Sequence, residues 1–264
     1  LEPWAAKPLR LKRALADASA YFRCIDDVTS VGAVASRTAH HFSTSTAPAR
    51  GDVLVEADDN DIATWSAAAS RRMEEAVHHA PLHLNLRSND LRSVAAGVSE
   101  LRTLSTLDAS DCDIGPTLNG VASRSLEWLS VAENNLRSMG QSAGPFPKLV
   151  YLDLRSNDLT TLAGLSSGSA QHIFPALCAL DLSDNNLKDL RGLEGLKCLE
   201  ALSLDHNDLG DDAVVQLCSL ISEMPRLRFL ACEENDWSDG AEQALEEHVA
   251  AINRVRSIDI DLYT

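Results

Sequence analysis

The chain has 264 residues, with 39 Asp and Glu against 23 Lys and Arg and a formal net charge of −16, and that length suffices to bury a sizeable core. So acidic a surface repels phosphate backbones, which argues against direct nucleic-acid binding and favours protein partners with a basic patch. No apolar run approaches the ~18 residues that a membrane-spanning helix needs, so no transmembrane segment is expected.

The charge is unevenly placed. Residues 1–50 hold seven Lys and Arg against four acids, a balance of +3 that leaves −19 for the rest. Cys24, Cys112, Cys178, Cys198, Cys218 and Cys232 form no C-x-x-C pair, no N-x-S/T site occurs, and the chain opens at Leu1 without a secretory pattern. This usage reads as reduced thiols in an intracellular protein that is not secreted.

In chain order, residues 8–27 place Leu11, Leu15, Ala18, Phe22 and Ile25 at steps of three and four, with Arg10, Arg13 and Asp17 opposite. The spacing predicts an amphipathic helix. Residues 28–51 contain no acid and are rich in Ser, Thr and Ala. They read as the start of a linker that runs to residue 58. Their composition also resembles a mitochondrial targeting segment, so cytoplasm and mitochondrion both stand as compartments. The arm is thus residues 1–58. A second helix is expected over 59–80, capped by Asp59, Asn60 or Asp61, with Ile62, Trp65, Ala69, Met73 and Val77 on one face and Pro81 ending it. Nothing in residues 1–80 repeats.

From residue 81 to the C-terminus one pattern recurs. It is clearest at Leu177, Leu180, Leu182, Asn185 and Leu187, matched 22 residues later by Leu199, Leu202, Leu204, Asn207 and Leu209. The spacing is L-x-x-L-x-L-x-x-N-x-L. Earlier units begin at Pro81, Leu104, Leu126 and Leu149, a later one at Leu227, and Val255, Ile258 and Ile260 are expected to open an eighth. The successive periods are 23, 22, 23, 28, 22, 28 and 28 residues.

Each unit offers one short strand whose flanking leucines need a shared core, so only stacking can bury them. The asparagine column, Asn89, Asn134, Asn157, Asn185, Asn207 and Asn235, falls where the chain turns inward and leaves peptide groups without ladder partners. A buried amide can satisfy both donors and acceptors there, so these residues are read as structural. Cys112 fills the column in the second unit.

This pattern resembles a leucine-rich repeat over about residues 81–262. The resemblance implies an α/β solenoid with a parallel concave sheet of about seven to eight short strands, capped by the 59–80 helix and preceded by the helical arm. The unit NNLKDLRGLEGLKCL resembles the short-repeat class of phosphatase regulatory subunits and axonemal dynein light chains. The L-G-D-D-A and S-D-G-A openings of units six and seven resemble the ribonuclease-inhibitor class, whose repeats carry a full helix. In the fourth interval the extra length comes from the polar stretch SSGSAQH at 166–172, read as a surface loop.

Chemistry-bearing motifs are sparse. The run Gly140-Gln141-Ser142-Ala143-Gly144 matches G-x-S-x-G, but a nucleophile elbow needs a helix after its serine, and Pro145 and Pro147 oppose one. His78, His79 and His83 have Pro81 among them, which breaks the helix that would align ligands. No P-loop, H-E-x-x-H or G-x-G-x-x-G occurs. Neither catalysis nor a cofactor or metal is expected.

Strand alternation predicts which side chains face outward on the sheet. Trp128, Tyr151 and Phe229 precede central leucines, and Asp181 follows one. Arg155, Asp184, Asp205, His206, Glu233 and Glu234 lie in the next two positions. Exposed aromatics beside acids suit a partner with an apolar centre and a basic flank. The expectation is a non-catalytic interaction scaffold, an accessory subunit of a hetero-oligomeric assembly that binds through this face and the arm. The resemblance also admits regulation of an enzyme, of the phosphatase-regulator or Ran GTPase-activating kind.

Overall fold

The computed structural model describes residues 30–36, 40–46, 53–56, 70, 71, 73, 74, 81–140, 143–162, 165, 173–256 and 259–264. One sheet of eleven strands runs through the chain in sequence order. The first three strands are β1 (Ser30–Ser36), β2 (His40–Thr46) and β3 (Val53–Glu56). Then follow β4 (Leu82–Asn85), β5 (Leu104–Asp108), β6 (Trp128–Ser130), β7 (Tyr151–Asp153), β8 (Ala179–Asp181), β9 (Ala201–Ser203), β10 (Phe229–Ala231) and β11 (Asp261–Tyr263).

Strands β4 to β11 are all parallel, one to a repeat, and the central leucines lie in register. Leu84 pairs with Leu107, Leu107 with Leu129, Leu129 with Leu152, and Leu152 with Leu180. Leu180 then pairs with Leu202, and Leu202 with Leu230. These leucines form one continuous core with those before and after them; Leu149, Leu152, Leu154 and Leu159 of a single repeat are all fully buried. Each repeat thus contributes one layer to a hydrophobic column, and only the end layers meet something different.

The eighth strand differs from expectation. Its central residue is Leu262, which pairs with Leu230, 32 residues earlier rather than 28. Val255 is 84% exposed instead of buried, Ile258 lies outside the described residues, and Ile260 enters the core just before the strand. The cause is the helix ahead of it, which continues to Asn253. The Asn253 side chain accepts from the Ile260 N–H (2.9 Å) and donates to the Ile260 carbonyl (3.0 Å), and this fixes where the strand begins.

On the convex side, period decides structure. The short helix α1 (Ala95–Val98) stands in the first repeat, and the fifth crosses from Lys188 to Cys198 in turns. The sixth repeat, with a spacing of 28 residues from Leu202 to Leu230, and the seventh, with 32 from Leu230 to Leu262, carry full helices, α2 (Asp211–Glu223) and α3 (Asp239–Asn253). Helix α2 buries Ala213, Val214, Leu217, Leu220 and Ile221; α3 buries Leu245 and Val249. Ser238 caps α3 by accepting from the Ala241 N–H, and the Asp211 carboxylate at the start of α2 accepts from the Ser238 N–H (2.7 Å) and hydroxyl (3.0 Å). The two helix starts are therefore tied together. The 166–172 insertion lies outside the described residues.

Before the array, the helix expected over 8–27 lies outside the described residues. The linker expected over 28–58 holds three strands instead. β1, β2 and β3 pair antiparallel in turn, and β3 joins β4 in parallel, Val55 opposite Leu84. The physical reason is twofold. Val and Thr favour extended backbone, and the edge of β4 would otherwise present a row of open N–H and C=O groups. Of the helix expected over 59–80, residues 70, 71, 73 and 74 are described and helical. Met73 joins the core, and the Glu74 carboxylate accepts from the backbone N–H groups of Arg102 and Thr103 and from the Thr103 hydroxyl (3.1 Å).

Candidate functional site

The turn after each strand is built the same way. The asparagine amide donates to carbonyls of its own repeat and of the one before. Asn185 Nδ2 donates to Leu182 (3.1 Å), Ser183 (3.1 Å) and Leu154 (3.0 Å), while its Oδ1 accepts from the Leu159 N–H (3.0 Å). Asn134, Asn157, Asn207 and Asn235 repeat this bridge, and Asn89 donates to Leu86 and Arg87. Cys112, in the same column, offers only its thiol, to the Leu86 (3.0 Å) and Ser110 (3.2 Å) carbonyls.

The residue before each column position has left-handed backbone. Ser88, Asp111, Glu133, Ser156, Asp184, His206 and Glu234 all have φ between 52° and 56°. Apart from Glu234, their N–H groups donate to the next repeat, Asp184 to the Asp205 carbonyl and His206 to that of Glu233, both at 2.9 Å. Asp and His are among the non-glycine residues enriched in this conformation. For Asp184, His206 and Glu234 the backbone thus has a turn-forming role, and their exposed side chains stand at the rim.

The concave face itself carries two rows of side chains. One is apolar. Trp128 and Tyr151 stack with ring centroids 5.5 Å apart and planes 10° apart, both half-buried. Tyr151 also packs against the cluster of Ala179, Ala201 and Phe229. Phe229 is therefore the far end of this row, separated from Tyr151 by two methyl groups. Toward the N-terminal side the row becomes polar, with His83 Nδ1 3.0 Å from the Thr106 hydroxyl.

The second row is acidic. Asp153 and Asp181 sit opposite each other on adjacent strands, both buried. Asp153 accepts from the Arg155 N–H (3.1 Å) and the Ser130 hydroxyl (3.2 Å), and the Arg155 guanidinium stands 3.5 Å from it. Asp181 Oδ1 takes the Ser183 N–H (3.0 Å) and hydroxyl (2.7 Å). Among the described residues, no cation lies within ion-pair distance of Asp181. Asp205, also buried, accepts from the Glu233 N–H (2.9 Å) and, at 3.5 Å, from the Ser203 hydroxyl.

Burial in this row penalises charge. It pushes Asp153 up to about 7, with the neighbouring Asp181 adding to it and Arg155 opposing. Asp181 is raised as well, by burial first, against the Ser183 hydrogen bonds. The Tyr151 phenol is raised by burial and then by both aspartates. Burial would lower the Arg155 guanidinium, but Asp153 and Asp181 hold it above its usual value.

The structure therefore brings Trp128, Tyr151, Arg155 and Asp181 into one patch, places Asp205, Phe229 and Glu233 further along it, and leaves Asp184, His206 and Glu234 at its rim. Asp153 belongs with the patch although the aromatics drew more notice in the sequence. Its signal was there, since Leu152-Asp153-Leu154 and Leu180-Asp181-Leu182 put the same acid between core leucines in consecutive repeats.

No helix follows the G-x-S-x-G run. Residues 143–148 are irregular, with a turn at Pro147 and Lys148, and Ser142 lies outside the described residues. Among the described residues, no group of three or more His, Cys, Asp and Glu could hold a metal ion. The five described cysteines are unbridged, and burial raises the Cys112 thiol to about 11, far from a reactive thiolate. Among the described residues, no helix is long and apolar enough to cross a membrane.

Parallel strands in register, one to a repeat, and a column of bridging asparagines give the chain the architecture of a leucine-rich-repeat solenoid. Residues 160–209 match the family model described as leucine rich repeat. No curated protein matches the chain. Among solved structures, an internalin from Listeria monocytogenes is 16% identical with a TM-score of 0.39, over 70% of this chain and 54% of that one. A leucine-rich-repeat protein of Leptospira interrogans is 20% identical with a TM-score of 0.43, over 77% of this chain and 59% of that one. This chain thus spans less than two thirds of either protein.

Proposed function

We propose that this protein is a non-catalytic interaction scaffold, an accessory subunit of a larger protein assembly, which binds through its concave face and its N-terminal arm. The observation that carries the reading is the apolar row from Trp128 to Phe229 on an otherwise polar sheet face. A stacked aromatic pair that remains half-exposed is the kind of anchor interfaces use, large in area and low in conformational entropy. Leucine-rich-repeat proteins are in general protein-binding scaffolds, which fits this face.

The test is capture of partners from native extract on the tagged full-length chain, with mass spectrometry of what is retained. A Trp128→Ala/Tyr151→Ala double variant, first checked for an unchanged circular dichroism spectrum, should lose the retained proteins. Equal recovery by the folded double variant would overturn the reading.

A further inference from the structure

The chemistry of the partner can be narrowed, on the premise that the concave face is the binding face. On repeats four to seven the outward positions hold six carboxylates, Asp153, Asp181, Asp184, Asp205, Glu233 and Glu234, against a single arginine, Arg155. That arginine is already engaged with Asp153 at 3.5 Å. Asp181, only 3% exposed, has both its hydrogen bonds on Oδ1. Its Oδ2 has no hydrogen-bond partner and keeps a little solvent access, so it opens onto the face.

The apolar row runs directly beside these acids. Successive same-face positions on a strand are about 6.6 Å apart and adjacent strands about 4.8 Å apart. The row from Trp128 to Phe229 crosses five strands, β6 to β10, and is thus about 19 Å long. Ala179 and Ala201, between Tyr151 and Phe229, contribute only a methyl each and keep the middle of the row low. A long basic side chain matches this layout. Its methylene stem can lie on the apolar row while its head reaches the acids one position away. A guanidinium suits it better than an ammonium, because it is less strongly hydrated and can grip a carboxylate with two N–H groups.

We propose that the concave face docks an amphipathic basic segment of a partner protein, its apolar residues on the Trp128–Tyr151–Phe229 row and an arginine between Tyr151 and Phe229 that reaches Asp181 and Asp205. Asp153 and Asp181 face each other on adjacent strands and repel, with the Arg155 guanidinium beside Asp153 as the counter-charge. An arriving arginine would relieve that repulsion, so charge contributes to affinity as well as to steering.

A random 15-residue peptide library selected on the immobilised full-length chain tests this, with the best peptide then measured by calorimetry. The proposal expects enrichment of Arg beside apolar residues. It also expects at least tenfold weaker binding to an Asp181→Asn/Asp205→Asn variant, which keeps the acceptors for the Ser183 and Glu233 N–H groups and should fold normally. The same peptide with Gln for Arg should lose at least tenfold on the unaltered chain. Selected peptides that are neutral or acidic, or that bind the double Asn variant equally well, would overturn the proposal. If such peptides were still lost with Trp128→Ala/Tyr151→Ala, the face would remain a binding face and only the basic partner would fall. Failure to select any peptide, together with carbodiimide cross-links from Lys7 or Lys12 to the face within one monomer, would overturn it in favour of the chain's own N-terminal segment as the occupant.

Discussion

Replacing Asn185 with alanine isolates what the ladder contributes. The amide makes four hydrogen bonds, three as donor and one as acceptor, and two of them cross to the preceding repeat. The side chain is only 6% exposed, so water does not readily take its place. Each net bond is worth about 1 kcal/mol, and leaving the buried Leu159 N–H without an acceptor costs about 1–3 kcal/mol by itself. Some relaxation is inevitable, so the expected loss is about 2–4 kcal/mol. Cys112→Ala is the internal control. It removes two thiol contacts and no acceptor that another repeat's N–H uses, so it should cost about 1 kcal/mol, a weak hydrogen-bond term with a small cavity. Urea unfolding followed by circular dichroism measures both. A slope of about 2 kcal/mol/M makes the Asn185→Ala midpoint fall by about 1–2 M. Because a repeat array can lose all-or-none behaviour, tryptophan fluorescence should be recorded in parallel. A shift below about 0.5 kcal/mol for Asn185→Ala, or equal shifts for the two variants, would refute the ladder argument.

Gly192 has φ +117°, and a Cβ there would stand 2.7 Å from the Leu162 carbonyl oxygen; Gly192→Ala should therefore lose about 1–3 kcal/mol in the same unfolding assay. Gly210, where a Cβ would meet nothing within 4 Å, should tolerate alanine within about 0.5 kcal/mol. For Asp153 the sign is set by a raised acid. Between its ordinary 3.8 and about 7 the folded chain keeps a proton that the unfolded chain releases, so this group's contribution is full below that window and is lost as pH rises through it. Asp153→Asn should thus flatten the fall in melting temperature from pH 5 to pH 8 and be the more stable protein at pH 8; an unchanged slope would count against the buried-carboxylate account. At the last strand, Leu262→Ala should destabilise by about 1–2 kcal/mol for a half-buried leucine, while Val255→Ala should change little, and the reverse order would mean the strand begins earlier.

The columns that could be read from the sequence were those with a single dominant physical demand. Leu180 and Leu202 must be apolar because both neighbours press on them, and Asn185 and Asn207 must be able to donate and accept at once. The period fixed those positions in seven consecutive repeats. It failed at the eighth because α3 and the connection after it are each two residues longer than α2 and its own connection, and Val255, Ile258 and Ile260 imitate the leucine spacing by chance. The strands over 30–56 were missed for a different reason. Their stability draws on pairing with the edge of β4, which no local pattern reports. On the concave face, alternation indicated which residues point outward, but not how much their neighbours on adjacent strands bury them. Asp153 and Asp181 looked like ordinary surface acids, and burial made them the most perturbed carboxylates of the face. The left-handed column at Asp184, His206 and Glu234 was likewise invisible, because its seven positions carry four residue types, Ser, Asp, Glu and His, that share only a backbone demand.

The central claim is that partners bind on the concave side. Oxidative footprinting of the chain, alone and with the proteins it captures bound, tests it most directly, since Trp128 and Tyr151 are both reactive and only half-buried. The account predicts that both lose reactivity in the complex while Trp237, on the convex crossing ahead of α3, keeps its own. Unchanged labelling of Trp128 and Tyr151, with protection confined to the α2 and α3 side, would contradict it.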